Sequence, residues 1–266
     1  MSVLLQRISL KSAKIGIIGL GYVGLPLALR FSEEGFSVLG FDTDTTKVRK
    51  LNSGKTYIKQ YPDTRIRGLL NNGFKATSDL KRVRQCDAII LCLPTPLGKH
   101  NEPDLSYIRH TMKVILPFLK EGQALSLEST TYPGTTEEEI LPLLKKRKLI
   151  PGKNFYLLYS PEREDPGNLK FHTRIIPKVV SGITGKCLTV AKALYGSIVD
   201  EVVPVTSTRT AEMTKIIENT HRLINFVLMN EMKLLCDKMG IDPFEVVKAA
   251  STKPFGFTPY YPGPVV

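Results

Sequence analysis

Short apolar runs alternate with amphipathic helical patterns through most of this 266-residue chain. Apolar runs that are too short for a helix and are bounded by turn residues indicate buried strands. The predicted strands are Lys14–Ile18, Ser37–Phe41, Ala88–Leu93, Ala124–Leu127, Phe155–Tyr159 and Lys178–Ser181. Helical patterns lie between them, for instance at Glu137–Lys148 and Lys186–Tyr195. This alternation predicts an α/β fold with a doubly wound parallel sheet, whose ligand crevice lies at the carboxyl ends of the strands.

The pattern changes in the last part of the chain. Thr208, or the serine before it, can cap a much longer helix that reaches residue 239. The middle of this helix, Leu223–Met229, is apolar on nearly all faces, so we expect it to be buried between domains or between subunits. We therefore predict a sheet domain over residues 1–203 and a helical region over residues 204–266.

The turn after the first predicted strand has the spacing of a dinucleotide-binding loop, Gly-x-Gly-x-x-Gly. Gly19 allows the tight turn, Gly21 lets the backbone approach a pyrophosphate, and Gly24 lets the following helix pack closely on the strand. Tyr22 and Val23 lie at the helix start, where free N–H groups face phosphate charge. The alternative is a glycine-rich turn that holds no ligand.

An acidic residue, Asp42, ends the second predicted strand. A carboxylate at this position accepts hydrogen bonds from a ribose 2′-hydroxyl and repels a 2′-phosphate, so the sequence favours NAD over NADP.

The net charge of +12 suits anionic ligands, which include dinucleotides and nucleotide sugars. Nucleic acid is a competing explanation, but the basic residues are scattered apart from Lys145–Lys148. We interpret that run as the basic C-terminal end of a helix rather than as a binding site for a phosphate backbone. We therefore predict no nucleic-acid partner.

The rest of the composition is that of an ordinary globular protein, with 42% hydrophobic and 23% charged residues. The sequence predicts no membrane partner, because no apolar stretch approaches the roughly 20 residues that span a bilayer. No secretory signal is visible, so we expect a cytoplasmic protein. The four cysteines lack metal-ligand spacing, which predicts free thiols and no metal site.

Three polar clusters follow predicted strands and are candidate site residues. Thr95 lies in Pro-Thr-Pro, Thr130 lies in Glu-Ser-Thr-Thr-Tyr-Pro-Gly, and Glu162 lies in Ser-Pro-Glu-Arg beside Arg163. The hydroxyl groups of the second cluster can hold a water molecule or the amide of a nicotinamide. Each cluster also has a plainer interpretation, which is a proline-rich turn, a helix cap and a surface carboxylate, respectively.

A fourth candidate lies on the long helix, where Lys215 and Asn219 are four residues apart and share one face. A lysine and an amide that point together into a crevice can stabilise an oxyanion on a substrate. The alternative is a solvated polar face. The helix is otherwise too apolar for a surface helix, which favours the functional interpretation.

The order of these motifs resembles the nucleotide-sugar 6-dehydrogenases of the UDP-glucose/GDP-mannose type. The matching stretches are Gly19–Pro26, Phe41–Asp44, Leu51–Gly54, Pro94–Pro96, Glu128–Thr130, Ser160–Arg163, Ile176–Val180, Ala211–Asn219 and Thr252–Phe257. They cover nearly the whole chain, and the amino-acid sequences of the second and third clusters are most similar to those of the UDP-N-acetylglucosamine 6-dehydrogenase branch. The resemblance implies a Rossmann-like NAD-binding domain followed by a central region that dimerises through the 208–239 helix.

The resemblance also implies a role for each candidate residue. The implied cofactor-binding residues are Gly19, Gly21, Tyr22, Val23, Gly24, Asp42, Lys47, Thr95 and Thr130. The implied catalytic residues are Thr130 and Glu162, which position water, and Lys215 and Asn219, which stabilise the oxyanion at carbon 6 of the sugar. Arg163 joins Glu162, Lys215 and Asn219 as a substrate-binding residue. The family oxidises the primary alcohol of a UDP-sugar twice with NAD, through an aldehyde held by a cysteine.

The chain departs from the family after Pro264. The family's cysteine lies in Gly-Gly-His-Cys, whereas this chain reads Val265-Val266 and ends, without that cysteine and without the UDP-binding C-terminal domain. The expectation is a frameshift or early stop, which an out-of-frame Gly-Gly-His-Cys downstream of codon 264 would support. Because a thioester step needs a thiolate nucleophile, we expect that this chain alone does not complete the four-electron oxidation.

Two other interpretations stay open at this stage. The chain is a non-catalytic remnant that binds NAD or dimerises through its long helix, or it is a two-electron dehydrogenase of the 3-hydroxyacid type. The second class also places Lys-x-x-x-Asn on a helix and needs no cysteine. The Glu-Ser-Thr and Ser-Pro-Glu motifs argue against it.

Overall fold

A computed structural model of the chain describes residues 2–100, 102–164 and 172–263. The chain divides into two compact units, of which the first ends at Lys215 and the second begins at Ile216. The first unit holds an eight-stranded sheet in the order β3-β2-β1-β4-β5-β6-β7-β8. The strands are β1 Lys14–Ile18, β2 Ser37–Phe41, β3 Lys75–Thr77, β4 Ala88–Leu91, β5 Ala124–Leu127, β6 Tyr156–Tyr159, β7 Lys178–Gly182 and β8 Val202–Pro204.

The structure confirms the six predicted strands and the mixed α/β, Rossmann-like fold. It adds β3 and β8, which were not predicted because segments of three residues are too short to show an apolar pattern. One strand pair departs from the predicted parallel sheet, since β7 runs antiparallel to β6 whereas the other pairs are parallel. The reversal brings the first residue of β7 to the edge where β5 and β6 end.

In the first unit, helices connect the strands and cover both faces of the sheet. The helices of the described chain are α1 Val3–Ser9, α2 Gly24–Glu33, α3 Thr45–Asn52, α4 Asp63–Asn71, α5 Ser106–Ile115, α6 Leu141–Lys146, α7 Gly185–Gly196, α8 Thr208–Met239 and α9 Pro243–Ala250. The helix predicted at Glu137–Lys148 is a π-helical turn, Thr136–Ile140, that continues into α6. The long helix begins and ends where the sequence predicts.

Two apolar cores lie on opposite faces of the sheet, and β4 contributes to both. Ala88 and Ile90 belong to the core that contains α2 and α7, while Ile89 and Leu91 belong to the core that contains α5. Successive side chains of a strand point to opposite faces, so a strand covered on both sides is apolar throughout. This is why the central strands read as continuous apolar runs in the sequence.

The second unit contains the rest of α8, α9 and the loop that reaches Gly263. The ring centroids of Phe226 and Tyr260 lie 5.2 Å apart, and the Asn230 amide exchanges two hydrogen bonds with the Gly263 backbone. The sequence predicts that the apolar middle of α8 is buried, but the described residues of this chain do not bury it. Ile224 is 60% exposed and Leu228 is 50% exposed.

No helix within residues 2–100, 102–164 and 172–263 has the length and apolarity that crossing a membrane requires.

Candidate active site

A cleft of about 830 Å³ lies at the carboxyl ends of the central strands, where a doubly wound sheet binds its ligand. Nine of the residues singled out in the sequence line this cleft: Gly19, Gly21, Tyr22, Val23, Asp42, Lys47, Thr95, Thr130 and Glu162. Gly24 supports the loop from below and does not line it. The fold thus brings the predicted cofactor residues and the predicted water-positioning residues to one cavity.

The three glycines of the loop have different surroundings. Gly19 has a φ of +92°, and a Cβ there would lie 2.3 Å from the carbonyl oxygen of Cys92. A Cβ at Gly24 would lie 1.8 Å from the carbonyl oxygen of Gly19, so both positions exclude any side chain. A Cβ at Gly21 would meet no atom within 4 Å. Gly21 therefore leaves open space in the cleft, which fits the close approach of a pyrophosphate to the backbone.

The start of α2 adds to the fit for a phosphate group. The Leu25 N–H already donates to the Gly21 carbonyl oxygen at 3.1 Å and Pro26 has no N–H, so the groups at the start of α2 that can face a phosphate are the N–H groups of Val23 and Gly24. The first N–H groups of an α-helix have no partner inside the helix and carry partial positive charge. An anion in the cleft can accept hydrogen bonds from these groups.

Asp42 is fixed in place by the backbone of the same loop. Its Oδ2 accepts a hydrogen bond of 3.0 Å from the Leu20 N–H, and its Oδ1 accepts one of 2.9 Å from the Asp44 N–H. The Lys47 Nζ lies 3.5 Å from Oδ2. The carboxylate is thus oriented before any ligand binds, and each oxygen keeps acceptor capacity for a ribose hydroxyl group.

The two loops that carry Thr95 and Thr130 are bonded to each other. The Thr95 hydroxyl donates to the Thr130 carbonyl oxygen at 2.7 Å, and the Ser129 hydroxyl accepts from the Leu93 N–H at 3.0 Å. Thr95 is therefore more than part of a proline-rich turn, because it ties the end of β4 to the end of β5. This link makes the middle of the cleft wall one continuous surface.

A buried group of three charges lies behind Glu162, and we call Glu128, Glu162 and Lys178 the charge cluster. The Lys178 Nζ lies 2.8 Å from Glu128 Oε2 and 2.9 Å from Glu162 Oε2. The exposed side-chain fraction is 0% for Glu128, 3% for Lys178 and 13% for Glu162. Glu162 is thus no surface carboxylate, and it is the member of the cluster that is most open to the cleft.

The cluster shifts the pKa of each of its members. Burial alone would raise the pKa of Glu162, but Lys178 and the N–H groups of Arg163 and Glu164 lower it overall. Burial raises the pKa of Glu128 to about 7, against the attraction of Lys178. Burial would lower the pKa of Lys178, but the two carboxylates outweigh it and raise that pKa. The cluster therefore holds an ionised Glu162 and takes up one proton, at Glu128, near neutral pH.

The raised pKa of Glu128 predicts a pH-dependent stability. Between its ordinary value of 4.5 and about 7, the folded chain binds a proton that the unfolded chain releases, so the free energy of unfolding falls as pH rises through this window. We expect Glu128→Gln to reduce that fall. Urea unfolding of both proteins at several pH values measures it, and equal pH profiles for the two would contradict the assignment.

Sequence reasoning missed Glu128 and Lys178 as site residues. The available signal was a single charged residue at the start of an otherwise apolar strand, at Lys178. Arg163, which was predicted to bind substrate, donates from Nη1 to the Pro177 carbonyl oxygen at 2.7 Å and does not line the described part of the cleft. Its substrate role stays a prediction.

Comparison with known proteins identifies the family. Residues 13–199 match the model of the UDP-glucose/GDP-mannose dehydrogenase family, NAD binding domain, and residues 209–266 match that family's central domain. The chain belongs to this family. The match confirms NAD as the predicted cofactor, and the open space at Gly21 and the uncapped start of α2 fit its pyrophosphate. The predicted boundary after residue 203 stays a prediction.

Relatives and solved structures of the family agree with this assignment. The chain is 39% identical to Protein CapL of Staphylococcus aureus over 94% of this chain and 58% of that protein. It is 36% identical to a UDP-N-acetyl-D-glucosamine 6-dehydrogenase of Pseudomonas aeruginosa, over 96% and 60%. The structure of a UDP-D-ManNAc dehydrogenase of Pyrococcus horikoshii is similar with a TM-score of 0.88 and 33% identity, over 94% and 60%. The chain thus spans about three-fifths of the length of these relatives.

The two family residues on α8 belong to different units of the chain. Lys215 is the last residue of the first unit, and Asn219 lies in the second, where its Oδ1 accepts a hydrogen bond of 3.1 Å from Arg222 Nη2. Lys215 is not among the described residues that line the cleft. The oxyanion role of this pair therefore stays a prediction from the family motif.

The four cysteines are free thiols, as the sequence predicts. Cys86, Cys92 and Cys187 are buried. Burial raises the pKa of Cys86 to about 12 and that of Cys92 well above its ordinary value, so both stay protonated near neutral pH. Within the described residues, no group of three or more His, Cys, Asp and Glu side chains is placed to hold a metal ion.

Proposed function

We propose that this chain is the cofactor-binding and central part of an NAD-dependent UDP-sugar 6-dehydrogenase. One observation carries the proposal: a single cleft is lined both by the dinucleotide-binding loop and by Glu162 of the charge cluster. The names of the relatives support a UDP-N-acetylhexosamine as the substrate, with UDP-glucose as the alternative. The reaction converts the 6-hydroxymethyl group of the sugar to a carboxylate.

Each group of cleft residues has a different role in such a reaction. NAD, when it is bound, accepts a hydride from the carbon that is oxidised. Gly21 and the start of α2 hold the pyrophosphate, and Asp42 accepts hydrogen bonds from the adenosine ribose. Thr130 and Glu162 position the water that releases the acid, while Thr95 fixes the loop that carries Thr130.

The family motif assigns to Lys215 and Asn219 the stabilisation of negative charge on the substrate oxygen. Cys86 and Cys92 are buried thiols whose pKa values are raised by burial, which argues against either as the nucleophile of a thioester step.

The proposal is tested by NAD reduction with UDP-N-acetylglucosamine, UDP-N-acetylmannosamine and UDP-glucose. The chain is compared with a chimera that appends the remaining C-terminal part of the Pseudomonas aeruginosa relative. We expect NADH and uronate from the chimera and no uronate from the chain alone. A folded chimera that binds NAD but oxidises none of the three sugars would contradict the proposed function.

Asp42 provides a prediction on cofactor choice. Asp42→Asn removes the charge but keeps an oxygen for the Leu20 N–H, and the exposed Asp44 N–H that loses its acceptor can bond to water, so the loop should stay folded. A hydrogen bond to a charged group contributes about 1.5–3 kcal/mol, and its loss should weaken NAD binding by about tenfold or more. The binding of NADP should strengthen, because the repulsion of its 2′-phosphate is gone. Calorimetric titration with both cofactors measures the ratio.

The matched control for this substitution is Asp200→Asn, which makes the same chemical change in an exposed ion pair with Arg174. The control should leave both affinities unchanged. An Asp42→Asn protein with the NAD-to-NADP preference of the wild type would rule out Asp42 as the ribose ligand.

We also propose that the chain forms a homodimer through the 208–239 helix. The second candidate function is that of a non-catalytic member of the family that binds NAD and dimerises. The exposed apolar residues Ile224, Val227 and Leu228 support a contact with another copy, because apolar surface of this kind marks interaction sites. Sedimentation of the wild type against Leu228→Glu tests the dimer. A monomeric wild type would exclude it.

We place the protein in the cytoplasm, because NAD and UDP-sugars are supplied there. Cell fractionation with an antibody against the chain tests this location. Recovery in the membrane fraction would contradict it.

A further inference from the structure

The antiparallel pairing of β6 and β7 brings the residues of the charge cluster together. In that pair Leu158 lies opposite Gly182 and Tyr159 lies opposite Ser181. Continuing the same pairing toward the cleft puts position 178 opposite position 162. Lys178 therefore reaches Glu162 because β7 is reversed, and a parallel β7 would have carried its first residue to the other edge of the sheet.

Lys178 is held from every side that the described residues show. Glu128, at the end of β5, bonds its Nζ at 2.8 Å. The ring of Tyr195 lies 5.5 Å from the same atom, and the hydroxyl of Tyr195 is bonded to Ser126 at 2.7 Å. These contacts fix the position of the ammonium group and keep it directed at Glu162 rather than at solvent.

Glu162 is fixed through both of its oxygens. Its Oε1 accepts hydrogen bonds of 2.7 Å from the N–H groups of Arg163 and Glu164, and its Oε2 accepts the bond of 2.9 Å from Lys178. The plane of the carboxylate is therefore set, and its remaining lone pairs are available to the cleft that it lines.

We propose that Lys178 and Glu128 are positioning residues for Glu162: Lys178 holds the Glu162 carboxylate ionised and oriented at the cleft, and Glu128 anchors Lys178 from behind. The inference rests on the proposed function for the role of Glu162 toward water. Glu162 touches the reacting groups in that role, whereas Lys178 and Glu128 act only through it.

Among the described residues, the other titratable groups near the cluster include Cys92, Tyr159, Tyr195 and Glu164, together with the Arg163 guanidinium, which donates to the Pro177 carbonyl oxygen. Burial raises the pKa of the Cys92 thiol and of the Tyr195 phenol well above their ordinary values, so both stay neutral near neutral pH. Burial also raises the pKa of Glu164, which accepts a hydrogen bond from the Thr173 hydroxyl. Within the described residues, the cation bonded to the Glu162 carboxylate is Lys178.

The test measures the pKa of Glu162 by carbon NMR on protein in which glutamate is labelled at its carboxyl carbon. The variant Glu162→Gln lacks this signal and so assigns it. We expect the wild type to titrate below the ordinary range of a glutamate. Lys178→Met should raise that pKa by about one unit or more, because the opposite charge is lost. Lys178→Arg, which keeps the charge, should restore most of the shift.

Two further arms separate positioning from folding. If Lys178→Met does not fold, the double variant Lys178→Met with Glu128→Gln removes one charge of each sign and should fold, with the pKa of Glu162 still raised. Glu128→Gln alone should leave the pKa of Glu162 low but change the pH dependence of uronate formation by the chimera. A folded Lys178→Met or double variant in which Glu162 titrates as in the wild type would overturn the proposal.

The NMR arm uses no substrate, so it stands apart from the proposed oxidation. NAD affinity, measured in the same samples, should change less than about twofold, because the phosphate and ribose contacts lie on other residues. An unshifted Glu162 with normal sugar oxidation would sink only the positioning role. A shifted Glu162 in a chimera without oxidation would sink only the proposed function.

Discussion

Gly24→Ala is expected to abolish NAD binding and to destabilise the sheet unit. The added methyl carbon would lie 1.8 Å from the Gly19 carbonyl oxygen and 3.2 Å from the Ile17 side chain, so the loop and α2 must move apart. Overpacking of this kind costs about 1–3 kcal/mol or more, and both displaced elements carry the phosphate contacts. We expect NAD affinity to fall by at least about a hundredfold, together with a lower thermal unfolding midpoint.

Two other glycines make this prediction specific. Gly21→Ala places its methyl group in open space, so it should fold normally and lose only NAD affinity. Gly68→Ala, within α4, also meets no atom within 4 Å and should be as stable as the wild type or more stable, with normal NAD binding. Calorimetry and thermal unfolding of the three variants check the pattern. Normal NAD affinity in Gly24→Ala would contradict the packing argument.

Lys178→Met is expected to cause a large loss of stability. The substitution leaves Glu128 and Glu162 buried without their shared cation, and breaking a buried ion pair from one side costs about 3–5 kcal/mol. Because the charge of Lys178 persists up to its raised pKa, the loss should be present throughout neutral pH. Urea unfolding at neutral pH measures it.

The control for Lys178→Met is Lys233→Met, which removes the lysine of an exposed ion pair with Asp237 on α8. Exposed pairs contribute about 0.2–1 kcal/mol, so the control should unfold close to the wild type. Adding Glu128→Gln to Lys178→Met should recover part of the lost stability, since one uncompensated charge is removed. A single variant as stable as the control would show that the cluster does not depend on its lysine.

The fold was predictable wherever a strand is covered on both faces. The central strands β1, β4 and β5 bury every residue or nearly every residue, so their apolar runs stand out from the helices beside them. The three-residue strands β3 and β8 lie at the two edges of the sheet and bury less, which removes that signal.

The cofactor half of the site was predictable for a local reason. Gly19, Gly21, Gly24 and Asp42 act through turns and strand ends that short stretches of sequence determine. The structure places three of them on the wall of one cleft and Gly24 directly beneath it.

The charge cluster was not predictable in the same way. Glu128, Glu162 and Lys178 come from three strand ends that are far apart in sequence, and their meeting depends on the direction of one strand. Alternating apolar runs do not encode that direction, because a buried strand has the same composition whether it runs parallel or antiparallel. The motif therefore indicated Glu162, whereas the signal for Lys178 was limited to a charged residue at the start of an apolar strand.

The exposed middle of α8 shows a third limit. An apolar stretch predicts burial but does not say which molecule provides the cover. Within the described part of the chain the side chains of Leu223 and Ile224 are exposed, and the family relatives are longer than this chain.

The central claim is that the cleft between the glycine loop and the charge cluster is an NAD site, and a direct titration tests it best. Purified chain is titrated with NAD in a calorimeter and, in a matched run, with NADP. The structure predicts saturable binding of one NAD per chain, with NADP at least about tenfold weaker because Asp42 repels its 2′-phosphate. A folded chain that shows no saturable NAD binding, or that binds both cofactors equally, would contradict the account.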